Sequence, residues 1–173
     1  MHRSPTIAQL VRLMLKNSDN FTAELLTKEL GRTAGGGTTV FGVAAVQRQA
    51  ARFGVAGATM ADGSGLSAYN RQTPSGTVRW LDSAAATRVG PLVRASLPVA
   101  CRDGTLRRRM CGTVAAGRVS AKTGTLAGVR ALAGYAVTRS GRPVTFAIQL
   151  AGVRNGVAAR AAIDRAMVAV ASY

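Results

Sequence analysis

Three runs of β-prone residues follow one another in the last third of the chain, at 118–126, 130–138 and 143–150. A glycine-containing turn separates the first two runs and Ser140-Gly141-Arg142 the last two, which is typical of an antiparallel meander. The segment from Val157 to Val170 then has one apolar helical face, made of Ile163, Ala166, Met167 and Val170. We therefore predict a mixed α/β fold of the α+β type, in which helices pack on an antiparallel sheet.

Residues 1–117 have helical periodicity instead. Ser4-Pro5 predicts a first helix running to about Lys16, and further helices are predicted from Phe21 to Gly31, from Thr38 or Thr39 to Gly54, from Thr73-Pro74 through Trp80, and between Pro91 and Pro98. We expect Val55–Met60 to form a short buried strand. With no repeat or linker, the prediction is one unit over 1–173, mainly helical in 1–117 and built on the sheet in 118–173.

The charge of the chain is strongly positive, with 23 Lys and Arg against 7 Asp and Glu, or +16. Such a field attracts polyanions, but no nucleic-acid recognition motif and no basic stripe interleaved with aromatics is found. No apolar run approaches the ~18 residues that span a bilayer, so no transmembrane segment is predicted. Residues 1–20 lack the order of a signal peptide, and targeting information for export is expected upstream of Met1.

Cys101 and Cys111 are the two cysteines, and His2 is the single histidine. The cysteines do not form a C-x-x-C motif, and no histidine lies near them, so we predict neither a metal site nor a cofactor. Two interpretations stay open for the cysteines. In an exported protein they could form one disulfide, whereas in a cytosolic protein they would be free thiols or small hydrophobic residues.

Two tripeptides carry the chemistry: Ser18-Asp19-Asn20, in a predicted turn between helices, and Lys122-Thr123-Gly124, inside the strand predicted at 118–126. Each is a weak signal alone. Together and in this order they belong to the set S-x-x-K, S-D-N, K-T-G of serine enzymes that process penicillins and D-Ala-D-Ala peptides. No serine of this chain has a lysine three residues later. The sequence is therefore expected to lack the nucleophile of such an enzyme.

Four stretches extend the pattern: LVRLMLKNSDNFTAELL, DGSGLSAYNRQTP, LPVACRDGTL and RVSAKTGTLAGVRALAGY. In order and spacing they resemble the low-molecular-mass class C penicillin-binding proteins, which are D-alanyl-D-alanine carboxypeptidases and endopeptidases of peptidoglycan. The resemblance covers the chain from about Ser4 to the last helix. It implies the C-terminal portion of a serine β-lactamase/D,D-transpeptidase-like fold.

The resemblance also implies roles for individual residues. Ser18 would relay a proton to the leaving D-alanine, Asn20 would hold a carbonyl of the substrate, and Lys122 would hydrogen-bond Ser18 and raise the local positive potential. The implied substrate-binding residues are Thr123 and Thr125, which would grip the terminal carboxylate, together with Gly124, Ser64 and Leu66. The backbone N–H of Thr125 would be one of two oxyanion donors.

The implied partners are the peptidoglycan stem peptide ending in D-Ala-D-Ala and, for the complete protein, β-lactams. Anionic wall polymers are a further expected partner, bound non-specifically through the positive charge, and specific nucleic acid is not. The expected location is extracytoplasmic, in the periplasm or cell wall, if an upstream part carries a signal peptide.

Two departures from the family pattern bear on function. Members commonly have arginine after the second serine of D-G-S-G-L-S, where this chain has Ala68, and this bears on recognition of the peptide's side chain. The missing S-x-x-K leaves open a non-catalytic cell-wall-binding remnant, and the positive charge leaves open a basic nucleic-acid-binding domain. A class A β-lactamase would also need a deacylating glutamate, and no glutamate lies between the two motifs beyond the second helix, which favours a peptidase.

Overall fold

The computed structural model describes residues 4–173, and His2 lies outside them. The elements in chain order are α1 (Ile7–Asn17), α2 (Asn20–Thr33), α3 (Thr39–Arg52), α4 (Pro74–Ala85), α5 (Gly90–Ser96), a 3₁₀ turn (Gly104–Leu106), β1 (Val119–Leu126), β2 (Val129–Val137), β3 (Pro143–Leu150) and α6 (Gly156–Ser172). The predicted α+β class is confirmed. None of the described helices is both long and apolar enough to cross a membrane.

The predicted meander is present as a three-stranded antiparallel sheet in the order β1-β2-β3. In its register Lys122 pairs with Ala133, and Thr123 pairs with Leu132. Because side chains alternate along a strand, Lys122 and Thr123 point to opposite faces of the sheet. The face that carries Lys122 is covered by α4, whose Leu81 carbonyl accepts a hydrogen bond from the hydroxyl of Tyr135 at 2.8 Å.

The opposite face of the sheet is covered by α6 and holds most of the buried core. Ile163, Met167 and Ala171 are the buried side chains of α6, and they pack with Leu132 and its neighbours on the sheet. The helix is confirmed, but its predicted buried face is partly wrong. Ala166 is exposed and Val170 only half-buried, because the buried stripe follows steps of four residues from Ile163.

The first helix begins later than predicted, at Ile7. Thr6 is its N-cap because the Thr6 hydroxyl accepts the backbone N–H of Gln9 while the Gln9 side chain accepts the backbone N–H of Thr6. Ser4-Pro5 therefore precedes the helix. The predicted strand Val55–Met60 is also wrong: the segment is irregular, and Thr59 makes a single isolated bridge to Arg71.

Gly31 does not end α2 as predicted, since the helix continues to Thr33. A Cβ at Gly31 would lie 2.6 Å from the carbonyl oxygen of Gly36 and 2.9 Å from the backbone nitrogen of Gly42. This glycine therefore allows the close approach of the α2 and α3 backbones. A glycine is required at position 31 because α2 and α3 pack closely there, and not because the helix ends there.

Candidate active site

The two tripeptide motifs meet in space. The Nζ of Lys122 donates a hydrogen bond to Ser18 Oγ at 2.6 Å and a second one to the Thr123 carbonyl oxygen at 2.7 Å. The first contact joins residues 104 positions apart in the chain. It places the lysine of the first strand directly against the turn between α1 and α2.

Helix caps hold that turn in place. Ser18 is the C-cap of α1 in the left-handed conformation, with φ 57°, and its position brings α1 to an end. Asp19 is the N-cap of α2, where its carboxylate accepts the backbone N–H groups of Phe21 and Thr22. Helix α2 therefore starts at Asn20. The S-D-N triplet is a rigid link whose direction is set by hydrogen bonds at both helix ends.

All eight residues proposed from the sequence line one cavity of about 340 Å³, which we call the cleft. They are Ser18, Asn20, Ser64, Leu66, Lys122, Thr123, Gly124 and Thr125. The cleft lies between the α1–α2 turn, the 62–67 loop and the outer edge of β1. The structure thus brings together residues from three separate parts of the chain.

Burial dominates the electrostatics of Lys122. Desolvation lowers the pKa of its ammonium group below the ordinary value. Among residues 4–173 no carboxylate lies within ion-pair distance of this lysine, so its positive charge is held by neutral oxygen acceptors. A buried ammonium hydrogen-bonded to a hydroxyl both orients that hydroxyl and favours negative charge on its oxygen.

The outer edge of β1 is open where it lines the cleft. At the start of the strand the Ala121 N–H points outward and donates to the Pro98 carbonyl at 2.9 Å. Because backbone groups alternate along an antiparallel strand, the N–H groups of Thr123 and Thr125 point outward as well. No other strand of the described residues pairs with this part of the edge. The Thr125 N–H is therefore open to a hydrogen-bond acceptor that enters the cleft.

The threonine side chains of β1 point toward the α6 side of the sheet. Thr123 Oγ1 donates a hydrogen bond to Thr105 Oγ1 at 3.1 Å, from the 3₁₀ turn. In the sequence Thr105 was noted only as part of the stretch LPVACRDGTL and was assigned no place in the site. Only the tertiary contact shows that this turn orients the Thr123 hydroxyl.

Two acidic residues that sequence reasoning left out of the site hold the 62–67 loop. The first, Glu24, accepts a hydrogen bond from Thr39 Oγ1 and from the backbone N–H groups of Gly63 and Ser64, at 2.8 and 3.0 Å. The Thr39 contact is the main cause of its lowered pKa, against a smaller opposing effect of burial. Glu24 is one helical turn after Asn20, a spacing that places both on one side of α2.

Asp62 fixes the same loop from within. Burial acts to raise the pKa of Asp62, but hydrogen bonds from Asn70, Ser64 and two backbone N–H groups together lower it. The loop glycine Gly63 has no room for a side chain, since a Cβ there would lie 1.8 Å from Thr27 Oγ1. The wall of the cleft at Ser64 and Leu66 is therefore rigidly placed.

The segment after α5 is tied to the rest of the molecule by two ion pairs and is closed internally by a disulfide. Lys16 Nζ contacts Asp103 at 2.7 Å, and Arg109 Nη2 contacts Asp164 at 2.6 Å. The sulfur atoms of Cys101 and Cys111 are bonded to each other, in agreement with the disulfide interpretation of the two cysteines. Within residues 4–173 no three His, Cys, Asp or Glu side chains form a group that could hold a metal ion.

The model of the D-Ala-D-Ala carboxypeptidase 3 (S13) family matches residues 1–173. The chain belongs to this family. It is 39% identical over 180 residues to a D-alanyl-D-alanine carboxypeptidase of Actinomadura sp., and the aligned region covers 99% of this chain and 33% of that protein. It is 39% identical over 172 residues to carboxypeptidase DacB of Mycolicibacterium smegmatis, with 94% and 37% covered. The chain thus spans about a third of the length of these S13 relatives.

Solved structures agree with the family assignment. Penicillin binding protein 4 of Haemophilus influenzae, in complex with a β-lactam, superposes with a TM-score of 0.82 at 27% identity, covering 94% of this chain and 40% of that one. A class A β-lactamase of Bacteroides cellulosilyticus gives a TM-score of 0.70 at 20% identity, covering 96% and 62%. The second similarity shows the shared fold. The expected serine β-lactamase/D,D-transpeptidase-like fold is therefore confirmed.

Proposed function

We propose that this S13 chain supplies the proton-relay and substrate-binding residues of a serine-type D-alanyl-D-alanine carboxypeptidase/endopeptidase. The observation that carries the proposal is the 2.6 Å hydrogen bond from Lys122 Nζ to Ser18 Oγ. It unites the S-D-N and K-T-G motifs in one cleft. In an acyl-enzyme mechanism a serine oxygen attacks the substrate carbonyl, and the leaving amine must receive a proton.

Ser18 is the residue proposed to deliver that proton. Ser18 Oγ accepts a hydrogen bond from the Lys122 ammonium, so the Ser18 O–H is free to donate to the leaving nitrogen. The positive charge of Lys122 would stabilise the negative charge that develops on Ser18 Oγ as the proton departs, and the proton lost by the attacking serine would restore the Ser18 O–H. Asn20 lines the same cleft beside Ser18, and its side-chain amide would donate to a carbonyl of the bound peptide.

The edge of β1 is proposed to bind the C-terminal end of the substrate. The Thr125 hydroxyl would donate to the terminal carboxylate, and the Thr123 hydroxyl would do so by exchanging its hydrogen bond to Thr105 Oγ1 for one to the substrate. Gly124 leaves room for the peptide backbone. The Thr125 N–H would stabilise the oxyanion, a contact whose loss costs about 3 to 4 kcal/mol of transition-state energy in comparable enzymes. Ser64 and Leu66 would form the opposite wall.

The nucleophile of this mechanism is the serine of S-x-x-K, which the sequence does not contain. Ser18 cannot replace it, because the proposed relay places Ser18 beside the leaving nitrogen. Removal of the nucleophile in a comparable serine hydrolase lowers turnover by about six orders of magnitude. We therefore expect the 173-residue chain to be inactive alone, with activity belonging to a protein that also carries S-x-x-K.

The proposed partners follow from this chemistry. They are the peptidoglycan stem peptide ending in D-Ala-D-Ala and, in the complete protein, β-lactams, whose ring amide imitates that peptide. An extracytoplasmic location is proposed, and the Cys101–Cys111 disulfide supports it, because such bonds persist in oxidising compartments. The charge of +16 would add non-specific, salt-sensitive attraction to anionic wall polymers.

The proposal is tested by joining the chain to an upstream segment that carries S-x-x-K. We expect the joined protein to bind fluorescent penicillin covalently and to release D-alanine from a D-Ala-D-Ala peptide. Ser18→Ala and Lys122→Ala in the joined protein should each abolish most of the D-alanine release, whereas Lys28→Ala, in α2 and outside the cleft, should retain it. Covalent labelling of the isolated chain by penicillin would contradict the proposed division of roles.

A further inference from the structure

A second, larger concave region adjoins the cleft on the α6 side of β1. It consists of two cavities of about 450 and 810 Å³, which share Thr105, Arg109, Val157 and Arg160 in their walls. The smaller cavity is also lined by Thr123, Gly124 and Thr125, which line the cleft. We call the two cavities together the arginine trough. A ligand in the cleft could therefore extend past the threonines of β1 into the trough.

The charged side chains in the walls of the trough are almost all positive. The basic side chains are Lys16, Arg107, Arg108, Arg109, Arg130 and Arg160. The one acidic side chain lining either cavity, among residues 4–173, is Asp164, and it is engaged by Arg109. Within the same described residues, no carboxylate lies within ion-pair distance of Arg107, Arg108 or Arg160. The trough therefore concentrates positive charge in a concave surface, where it acts on an anion most strongly.

The walls of the trough are also held in place. The Cys101–Cys111 disulfide closes the loop that carries Thr105 and the run Arg107–Arg109. The guanidinium of Arg109 donates three hydrogen bonds to Asp164, between 2.6 and 3.3 Å. A binding site that is already ordered loses less free energy when its ligand binds. These restraints order the loop and the Arg109 side chain, whereas the side chains of Arg107, Arg108 and Arg160 are exposed to solvent.

We propose that the arginine trough is a second anion subsite, which binds a carboxylate on the side chain of the leaving amino acid. This inference rests on the proposed function, in which Thr123 and Thr125 hold the terminal carboxylate. A leaving D-alanine has only a methyl side chain and leaves the trough empty. The substrate class that fills it is a peptide cross-link, whose leaving group carries a further carboxylate, so endopeptidase action is favoured over removal of a single D-alanine.

The test compares two probe peptides that differ in that carboxylate, acetyl-D-Ala-D-Ala and acetyl-D-Ala-D-Glu. Dissociation constants are measured on the 173-residue chain by NMR chemical-shift titration at low salt. We expect the D-Glu peptide to bind about tenfold more tightly, as one charge-assisted contact allows. Arg160→Gln should bring the ratio of the two constants close to one. Arg165→Gln, an exposed position on the same helix outside both cavities, should leave the ratio near its parent value.

The outcomes separate the subsite from the proposed function. Equal affinities for the two peptides, or a preference for D-Glu that survives Arg160→Gln, would overturn the subsite while leaving D-Ala-D-Ala recognition in place. A ratio that Arg165→Gln lowers as much as Arg160→Gln would also overturn it, because the advantage would then come from the overall charge. If neither peptide binds, the proposed function fails, and the subsite fails with it.

Discussion

The carboxylate of Glu24 is the contact that fixes the far wall of the cleft, and its removal is the sharpest test of how the site is built. Glu24 lies on α2, one turn after Asn20, and accepts the backbone N–H groups of Gly63 and Ser64 across 39 and 40 residues of chain. Thr39 on α3 donates to the same carboxylate. Glu24→Ala therefore removes the acceptor of all three donors at once.

The expected cost follows from these contacts. A hydrogen bond to a charged group contributes about 1.5 to 3 kcal/mol net, and a donor left without an acceptor costs about as much again if water cannot reach it. Glu24 is half-buried, so water can replace part of what is lost. We expect Glu24→Ala to lower the free energy of unfolding by about 2 to 3 kcal/mol, which corresponds to a melting temperature lower by roughly 4 to 12 °C.

Glu29→Ala is the matched control, because Glu29 lies on the same helix and makes only an exposed pair with Arg32 at 3.4 Å. Such a pair contributes less than about 1 kcal/mol. Both variants are compared with the parent chain by thermal and urea unfolding followed by circular dichroism. The pKa of Glu24 is lowered in the folded state, so its contribution should be present above the ordinary value of 4.5 and be lost as the pH falls through the lowered pKa. Equal destabilisation by the two substitutions would refute the reasoning.

Three further predictions concern the rest of the chain. Replacing Cys101 and Cys111 by alanine should cost about 2 to 3 kcal/mol of unfolding free energy by the chain-entropy account, and mass spectrometry without reductant should find the two sulfurs bonded in the parent. Burial lowers the pKa of Lys122, so the parent should gain stability relative to Lys122→Met as the pH rises from that lowered pKa toward 10.5; parallel pH curves would contradict this. Gly42→Ala should destabilise by about 1 to 3 kcal/mol in urea unfolding, because its Cβ would lie 2.0 Å from the Thr27 carbonyl oxygen, and a neutral effect would show that α2 and α3 can separate.

Local signals in the sequence were sufficient for the meander and most helix positions. Strands β1 to β3 end within a residue or so of their predicted limits, since the turns between them are encoded by short glycine-containing segments. Thr38 and Thr73-Pro74 open α3 and α4 where they were expected to. These features depend on residues that are neighbours in the chain. The eight site residues that the family resemblance implied also meet in one cleft.

Signals with more than one physical cause were resolved only by the tertiary structure. Gly31 could end a helix or allow two helices to approach, and only the position of α3 decides between them. Val55–Met60 is apolar enough for a buried strand, yet no strand of the described chain extends alongside it beyond the bridge at Thr59.

The same holds for the supports of the site. The hydrogen bonds of Glu24 with Gly63, of Thr105 and of Arg109 in the arginine trough join residues that are 18 to 55 positions apart in the chain. They connect elements whose relative placement no local pattern encodes. Caps, turns and strand periodicity arise from interactions among a few consecutive residues, so the sequence alone determines them. The support of the cleft and the concentration of positive charge beside it arise from packing between distant elements, and only the folded chain decides them.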